Sequence, residues 1–276
     1  MASTEISPKG CSIHRFTVHS PAMGRDIQSV VILPPEYDSQ PEKRYPILYT
    51  FHGHAAPHDT FAAMDPLRRA LVDKPMIVTC LDADAASFYI DSPLPQKAGR
   101  VAGDTTLVKS LFTTFFLHEF IPAIDATYRV NPAQRMLTGF SMGGFGAFHY
   151  MLAAPGQFAA VSSLSGWFES ANSILPHVMP MLEGLLGPIS ECRDKLDELD
   201  PFVRIEKQRA AGIKFPPFLL TCGTEDFLLQ QNRNMHDFLD KLSIAHEYLE
   251  TPGAHDWPYW RDISPAIIDF HWRACR

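Results

Sequence analysis

The chain has 276 residues, of which 46% are hydrophobic and 20% charged, and its formal net charge is −7. A hydrophobic content in this range is typical of globular proteins, so disordered, coiled-coil and fibrous classes are excluded. The negative charge and the lack of a Lys/Arg-rich run argue against a nucleic-acid partner. No apolar run comes near the roughly 18 residues that a membrane-spanning helix needs.

Short apolar runs that alternate with helical patterns predict a β/α architecture. The first two β segments, at 12–20 and 26–33, are expected to form an antiparallel hairpin. Six later runs are apolar at both odd and even positions, as expected for strands buried on both faces of a parallel sheet. They lie at 46–51, 76–81, 135–140, 159–164, 217–222 and 246–250.

Helical patterns lie between these runs, at 65–72, 106–128, 142–154, 227–243 and 263–272. The alternation predicts a mostly parallel, doubly wound α/β sheet. Residues 165–215 contain no clear strand, and so long a loop is implausible in a compact domain. We therefore expect short helices there, forming a cap or lid inserted into a single domain that spans residues 1–276.

The strongest chemical signal is Gly139-Phe140-Ser141-Met142-Gly143, which follows an apolar run and opens a helical pattern. This is the context of a G-x-S-x-G nucleophile elbow, in which a tight strand-to-helix turn exposes the serine hydroxyl. Ser141 is therefore the predicted nucleophile.

A serine hydroxyl needs an imidazole to accept its proton and a carboxylate to orient that imidazole. In this architecture the acid and the histidine follow the serine in the chain. His255 fits as the base, because it lies in a Gly-containing loop between the last strand and the last helix. Asp226, after the strand at 217–222, is the favoured acid, with adjacent Glu225 and the more remote Asp200 as alternatives.

Acyl transfer also needs amide donors for the oxyanion. The backbone N–H groups of Met142, directly after the nucleophile, and of His54, in the Phe51-His52-Gly53-His54 turn, are the predicted pair. His52, His54 and His58 resemble a metal cluster, but the turn lacks an acidic ligand. No metal and no cofactor are expected.

The motifs FHGH at 51–54, DADAASFYIDSP at 82–93, GFSMGGFGAFHYMLAAPGQFAAVSSLSG at 139–166, CGTEDFLL at 222–229 and GAHDWPYW at 253–260 resemble the esterase D superfamily of α/β hydrolases. The resemblance covers nearly the whole chain from about residue 12. It implies an α/β-hydrolase fold, a Ser141, Asp226, His255 triad and an oxyanion hole of the His54 and Met142 amides. S-formylglutathione hydrolases of this group have Ser-Gly-Leu where this chain has His52-Gly53-His54.

The expected function is a serine carboxylic-ester hydrolase acting on short-chain or plant-cell-wall (feruloyl or acetyl) esters, as small molecules or on acylated oligosaccharides. The alternatives are an acyltransferase with the same triad, an S-formylglutathione hydrolase, and an inactive carbohydrate- or lipid-binding homologue. Aromatic side chains near the catalytic loops are expected to line the substrate cleft. They are Phe88, Tyr89, Trp167, Phe168, Trp257 and Trp260. The segment around Pro176–Leu186 is interpreted either as the cover of an acyl pocket or as core.

The first ten residues contain no apolar signal-peptide core, which predicts a cytoplasmic protein as the sequence stands. A secreted or periplasmic enzyme whose signal has been removed is the alternative. The five cysteines lack CxxC spacing, so neither a zinc ribbon nor a dense disulfide framework is expected. The sequence leaves homo-oligomer formation open.

Overall fold

The computed structural model describes residues 4–6, 10–97, 105–169 and 179–276, with residues 4–6 described by their backbone alone. Eleven strands lie in these ranges. They are β1 (Thr4–Ile6), β2 (Ser12–Ser20), β3 (Arg25–Leu33), β4 (Tyr45–Phe51), β5 (Ile77–Leu81), β6 (Gln96–Lys97), β7 (Leu107–Val108), β8 (Val130–Phe140), β9 (Ala160–Leu164), β10 (Phe218–Gly223) and β11 (His246–Thr251).

Nine of these strands form one sheet in the order β1-β2-β3-β5-β4-β8-β9-β10-β11, while β6 and β7 pair separately. Strands β1, β2 and β3 are antiparallel, and β3 also joins β5 in antiparallel fashion. In the rest of this sheet, the pairings β5-β4, β4-β8, β8-β9, β9-β10 and β10-β11 are all parallel. The predicted hairpin and the predicted parallel sheet are both confirmed.

Nine α-helices lie in the described ranges, and none of them has the length and apolarity that crossing a membrane would take. They are α1 (Asp65–Asp73), α2 (Phe112–Phe115), α3 (Ile121–Thr127), α4 (Met142–Ala153), α5 (Met179–Leu186), α6 (Arg193–Leu199), α7 (Pro201–Ala210), α8 (Leu229–Lys241) and α9 (Trp257–Ala274). A π-helical turn, Phe116–Phe120, joins α2 to α3.

Helix α8 begins two residues after its predicted start at 227, and two other predicted helices begin further from their predicted starts. The pattern at 106–128 predicts helix throughout, but Leu107–Val108 forms β7 and the helix starts at Phe112, whose amide donates to the Ile90 carbonyl. The last helix starts at Trp257, six residues before the predicted start, because Asp256 caps it by accepting from the Tyr259 amide (3.1 Å).

Apolar residues on the two faces of the sheet form two core clusters. Helix α4 is buried on every side, so the turn before it is held firmly against the sheet. Three short helices, α5, α6 and α7, lie within the segment 165–215, of which residues 170–178 lie outside the described ranges. Arg204 of α7 donates to His149 Nδ1 of α4 (2.8 Å), which ties this segment to α4.

Candidate active site

The turn between β8 and α4 holds Ser141 in a conformation that few side chains adopt, with φ 56° and ψ −121°. The flanking glycines allow it. A Cβ on Gly139 would lie 2.3 Å from the Gly143 carbonyl oxygen, and a Cβ on Gly143 would lie 2.0 Å from the Phe51 carbonyl oxygen. Both positions therefore require glycine, because any side chain would collide with backbone.

His255 lies between the serine and a carboxylate. The Ser141 hydroxyl and His255 Nε2 are 2.9 Å apart, and His255 Nδ1 is 3.0 and 2.9 Å from the two oxygens of Asp226. The three residues follow β8, β11 and β10, whose carboxyl ends meet at one edge of the sheet. The structure thus brings together the three residues that the sequence singled out.

Hydrogen bonds to Asp226 favour its ionised form. Burial opposes that form, but hydrogen bonds from His255, from the Ser165 hydroxyl and from the Leu228 amide outweigh it and hold the pKa of Asp226 below its ordinary value. The Leu228 amide lies 2.7 Å from Asp226 Oδ1. The carboxylate is therefore set to accept a hydrogen bond from the imidazole while it keeps its negative charge.

Ser165 was not predicted from the sequence. It follows β9, has φ 48°, and is fully buried, and its hydroxyl accepts a hydrogen bond from Trp260 Nε1 (3.2 Å) while bonding to Asp226. Its position at the carboxyl end of a strand next to β8 and β10 is the signal that could have identified it.

The alternative acids lie elsewhere. Glu225 is exposed and accepts from the Thr224 hydroxyl (2.6 Å) and the Gly253 amide (2.6 Å), which together lower its pKa. Asp200 accepts from the Phe202 amide (2.8 Å) at the start of α7 and is a helix cap. None of these contacts involves His255, so the geometry favours Asp226 as the acid that orients the imidazole.

The predicted oxyanion donors border the same cleft. No hydrogen bond among the described residues takes the amide of His54 or of Met142, so both N–H groups remain available to a ligand. The His52 ring points into the protein, with Nδ1 2.8 Å from the Gly53 carbonyl and Nε2 accepting from the Ala83 amide (3.1 Å). His52 Nε2 also lies 3.8 Å from Asp82 Oδ1, and His58 Nδ1 lies 3.4 Å from Asp82 Oδ2, so both rings approach the same carboxylate behind the turn.

A cleft of about 390 Å³ opens at Ser141 and His255. Its walls are mostly apolar. Besides Ser141, His255 and the predicted oxyanion residues, they include Ala56, Phe88, Trp167, Met181, Phe227 and Trp260.

Three of the six aromatic residues predicted to line the cleft do so: Phe88, Trp167 and Trp260. The prediction for Tyr89 and Phe168 is corrected. Tyr89 is fully buried, with its hydroxyl donating to the His52 carbonyl (2.8 Å), and Phe168 packs against Phe148 in the core. Trp257 is half-buried and packs against the second core cluster, and it is not among the described residues that line the cleft.

Phe227 is the cleft residue that sequence reasoning missed. Its side chain is 77% exposed, and its ring centre lies 4.4 Å from that of His255. An apolar ring so exposed beside an imidazole offers a surface to a ligand rather than to the core. Its place directly after Asp226 could have indicated it.

A second, smaller cavity of about 40 Å³ lies under α5 and α6 and shares Phe88 and Trp167 with the cleft. Leu182, Leu185 and Leu186 of α5 line it. The segment Pro176–Leu186, interpreted from the sequence as an acyl-pocket cover or as core, therefore borders this small cavity through α5. Residues 176–178 of that segment are outside the described ranges.

A family model described as "Putative esterase" matches residues 20–269, which is most of the chain. The chain belongs to this esterase family. Esterase Rv1288 of Mycobacterium tuberculosis is 29% identical over 255 residues, covering 82% of this chain and 51% of that protein. The chain thus spans about half the length of that relative. Acetyl esterase of Caldicellulosiruptor saccharolyticus is 24% identical over 277 residues, covering 90% of this chain and 94% of that protein.

Solved structures share the fold of this esterase family member. A ferulic acid esterase matches it with a TM-score of 0.77 at 23% identity, covering 96% of this chain and 98% of that chain. The α/β-hydrolase fold implied by the sequence resemblance is therefore confirmed, as is membership of an esterase family.

Proposed function

We propose that this protein is a serine carboxylic-ester hydrolase that works through an acyl-enzyme on Ser141. The observation that carries the proposal is the continuous contact from Ser141 Oγ through His255 to both oxygens of Asp226, at 2.9 to 3.0 Å, at the base of an open cleft. This is the arrangement in which a base activates a hydroxyl and a third group orients the base.

In the first half-reaction, Ser141 Oγ attacks the ester carbonyl carbon while His255 Nε2 accepts the hydroxyl proton. The carbonyl oxygen becomes an oxyanion, which the His54 and Met142 amides stabilise. As the tetrahedral intermediate collapses, His255 gives the proton to the leaving alcohol. Asp226 keeps the imidazole oriented and stabilises its positive charge.

In the second half-reaction, water loses a proton to His255 and attacks the acyl carbon. Collapse of the second intermediate returns the proton to Ser141 Oγ and releases the carboxylic acid. An acyltransferase would differ only in using a second alcohol in place of water, so the same site serves both reactions.

The substrate class proposed is a small ester, either a short-chain or acetyl ester or an aromatic feruloyl-type ester. A cleft of about 390 Å³ is in the lower part of the range found for small-molecule sites. Phe88, Trp167 and Phe227 offer ring faces for stacking on an aromatic acyl group or a sugar. The names of the two similar proteins, an acetyl esterase and a ferulic acid esterase, point to the same substrates.

Ser141→Ala tests the proposal. We expect kcat on p-nitrophenyl acetate to fall by several orders of magnitude, since the nucleophile of a triad contributes about 10⁶-fold in a serine protease. Labelling by a fluorophosphonate probe should disappear as well. Ser39→Ala, at an exposed serine, is the matched control and should keep both properties.

A panel of p-nitrophenyl acetate, butyrate and octanoate, methyl ferulate and acetylated xylan then assigns the substrate. Near-normal turnover by Ser141→Ala would refute the mechanism. A native protein that neither turns over any ester nor reacts with the fluorophosphonate would indicate an inactive homologue, and acyl transfer to an added alcohol that exceeds hydrolysis would indicate a transferase.

A further inference from the structure

A second cluster of chemically reactive side chains lies where α8 ends and β11 begins. His236 and Asp240 are one turn apart on α8, and His246 is the first residue of β11. Within the parts of the chain that the structure describes, these three form the one group of His, Cys, Asp or Glu residues whose potential ligand atoms all lie within 4.8 Å of one another. Asp226 precedes α8 and His255 follows β11, so the cluster lies at the other ends of these elements.

The potential ligand atoms of the cluster lie close enough together for one ion to bridge them after small movements. His236 Nδ1 and His246 Nε2 are 2.7 Å apart, His246 Nε2 is 3.9 Å from Asp240 Oδ1, and His236 Nε2 is 3.7 Å from Asp240 Oδ2. Tetrahedral zinc, with bonds of about 2.0 Å, separates its ligand atoms by about 3.3 Å. His236 can give only one of its two ring nitrogens to a single ion. Small movements of the side chains must therefore bring the three ligand atoms, now within 4.8 Å of one another, to that separation.

Both imidazoles are already oriented by their neighbours. His246 Nδ1 donates to the Ile244 carbonyl (2.8 Å), which leaves the lone pair of Nε2 directed at the cluster. The ring of His236 stacks on Tyr248 at 4.3 Å. Metal-binding histidines characteristically donate their second nitrogen to a carbonyl or carboxylate in this way.

We propose that His236, Asp240 and His246 form a zinc site, with water as the fourth ligand. Two imidazoles and one carboxylate are a ligand set that zinc accepts readily and that magnesium and calcium do not favour. The His246 side chain is 2% exposed while that of Asp240 is 64% exposed, so the ion would bind at the surface with room for water. Bound zinc would fasten α8 to β11 and stabilise the folded chain.

A hydrogen bond between the two histidines also explains their contact and needs no metal. The two explanations differ at Asp240, which the hydrogen bond does not use. Asp240→Asn and His236→Gln therefore decide between them, and since both side chains are at or near the surface the variants should fold.

The experiment uses the full chain without an affinity tag, freed of metal by chelator, and titrates Zn²⁺ by calorimetry and by competition with a chromogenic chelator. We expect one zinc ion per chain with a Kd in the micromolar range or below, no binding of Mg²⁺ or Ca²⁺, and a rise in Tm of about 4 °C or more at saturation. Asp240→Asn should weaken binding at least ten-fold, and His236→Gln should abolish it.

His19→Gln is the matched control, because His19 contacts Asp26 (2.8 Å) in an exposed pair that supplies two ligands instead of three. It should bind zinc as the native chain does. Absence of stoichiometric binding to the native chain, or equal affinity in the native chain and in both site variants, would overturn the proposal. Hydrolysis of p-nitrophenyl acetate by each variant verifies that the protein is folded.

Discussion

Asp226 and Glu225 are neighbours in the chain, yet their carboxylates have different partners. Asp226 turns inward to His255, where its side chain is fully buried, whereas Glu225 turns outward to the Gly253 amide. Both residues have a lowered pKa, so acidity does not distinguish them. The contact with the imidazole does.

Asp226→Asn should therefore reduce kcat far more than Glu225→Gln. An amide at position 226 would pair with the wrong tautomer of His255, an effect of about 10⁴-fold in a serine protease, and we expect at least a hundred-fold loss here. Glu225→Gln keeps an acceptor oxygen for the Gly253 amide and should stay within about three-fold. The measurement is kcat on p-nitrophenyl acetate, and comparable losses in the two variants would contradict the assignment of the acid.

The close approach of Ser141, His255 and Asp226 was predictable from the sequence, because parallel strands bring their carboxyl ends, and the loops that follow them, to one edge of the sheet. The cleft wall was less predictable. Tyr89 and Phe168 are core residues while Phe227 is exposed, and this depends on packing between distant segments. The presence of an aromatic residue in the sequence does not show whether its ring faces the cleft or the core.

At the level of elements, the junction of β8 and α4 determines the geometry of the site. The periodicity of apolar residues predicted both elements to within a residue at the junction. It did not predict the start of α9, where Asp256 caps the helix and Pro258 lies in its first turn. The helix predicted from 106 was shortened by pairing of β6 with β7, a long-range contact that a local pattern cannot reveal.

Gly143→Ala tests this junction. The new methyl group would lie 2.0 Å from the Phe51 carbonyl oxygen, so backbone must move, and we expect the free energy of unfolding to fall by about 2 kcal/mol or more. Gly184→Ala, in α5, is the matched control because an added Cβ meets no atom of the described residues within 4 Å, and alanine should be neutral or mildly stabilising. Urea denaturation measures both, and an unchanged midpoint for Gly143→Ala would contradict the close approach.

For the whole molecule, buried histidines link stability to pH. Burial lowers the pKa of His271 to about 3, and its Nε2 lies 2.9 Å from the Ser162 hydroxyl while Nδ1 has no hydrogen-bond partner among the described residues. Burial, followed by the charge of Arg204, also lowers the pKa of His149 well below its ordinary value. Both rings are therefore neutral in the folded protein.

In the unfolded chain His271 takes up a proton near the ordinary value of about 6.5, while in the folded protein it does so only near pH 3. Between these values the unfolded state binds more protons, so the free energy of unfolding should fall as pH decreases, by up to about 1.4 kcal/mol per pH unit from this group. His271→Gln should make the decrease shallower between pH 6 and pH 4 in urea denaturation. His118→Gln, at an exposed position, should leave the slope unchanged.

The sheet order has a further consequence for how activity is lost. Strand β11 forms one edge of the nine-stranded sheet and, within the described ranges, pairs with β10 alone. Edge strands open locally at lower free energy than central ones. His255 follows this strand whereas Ser141 follows the central strand β8, so transient fraying at the sheet margin would remove the base while the nucleophile stayed in place. Heat inactivation would then precede global melting and would be reversible on cooling.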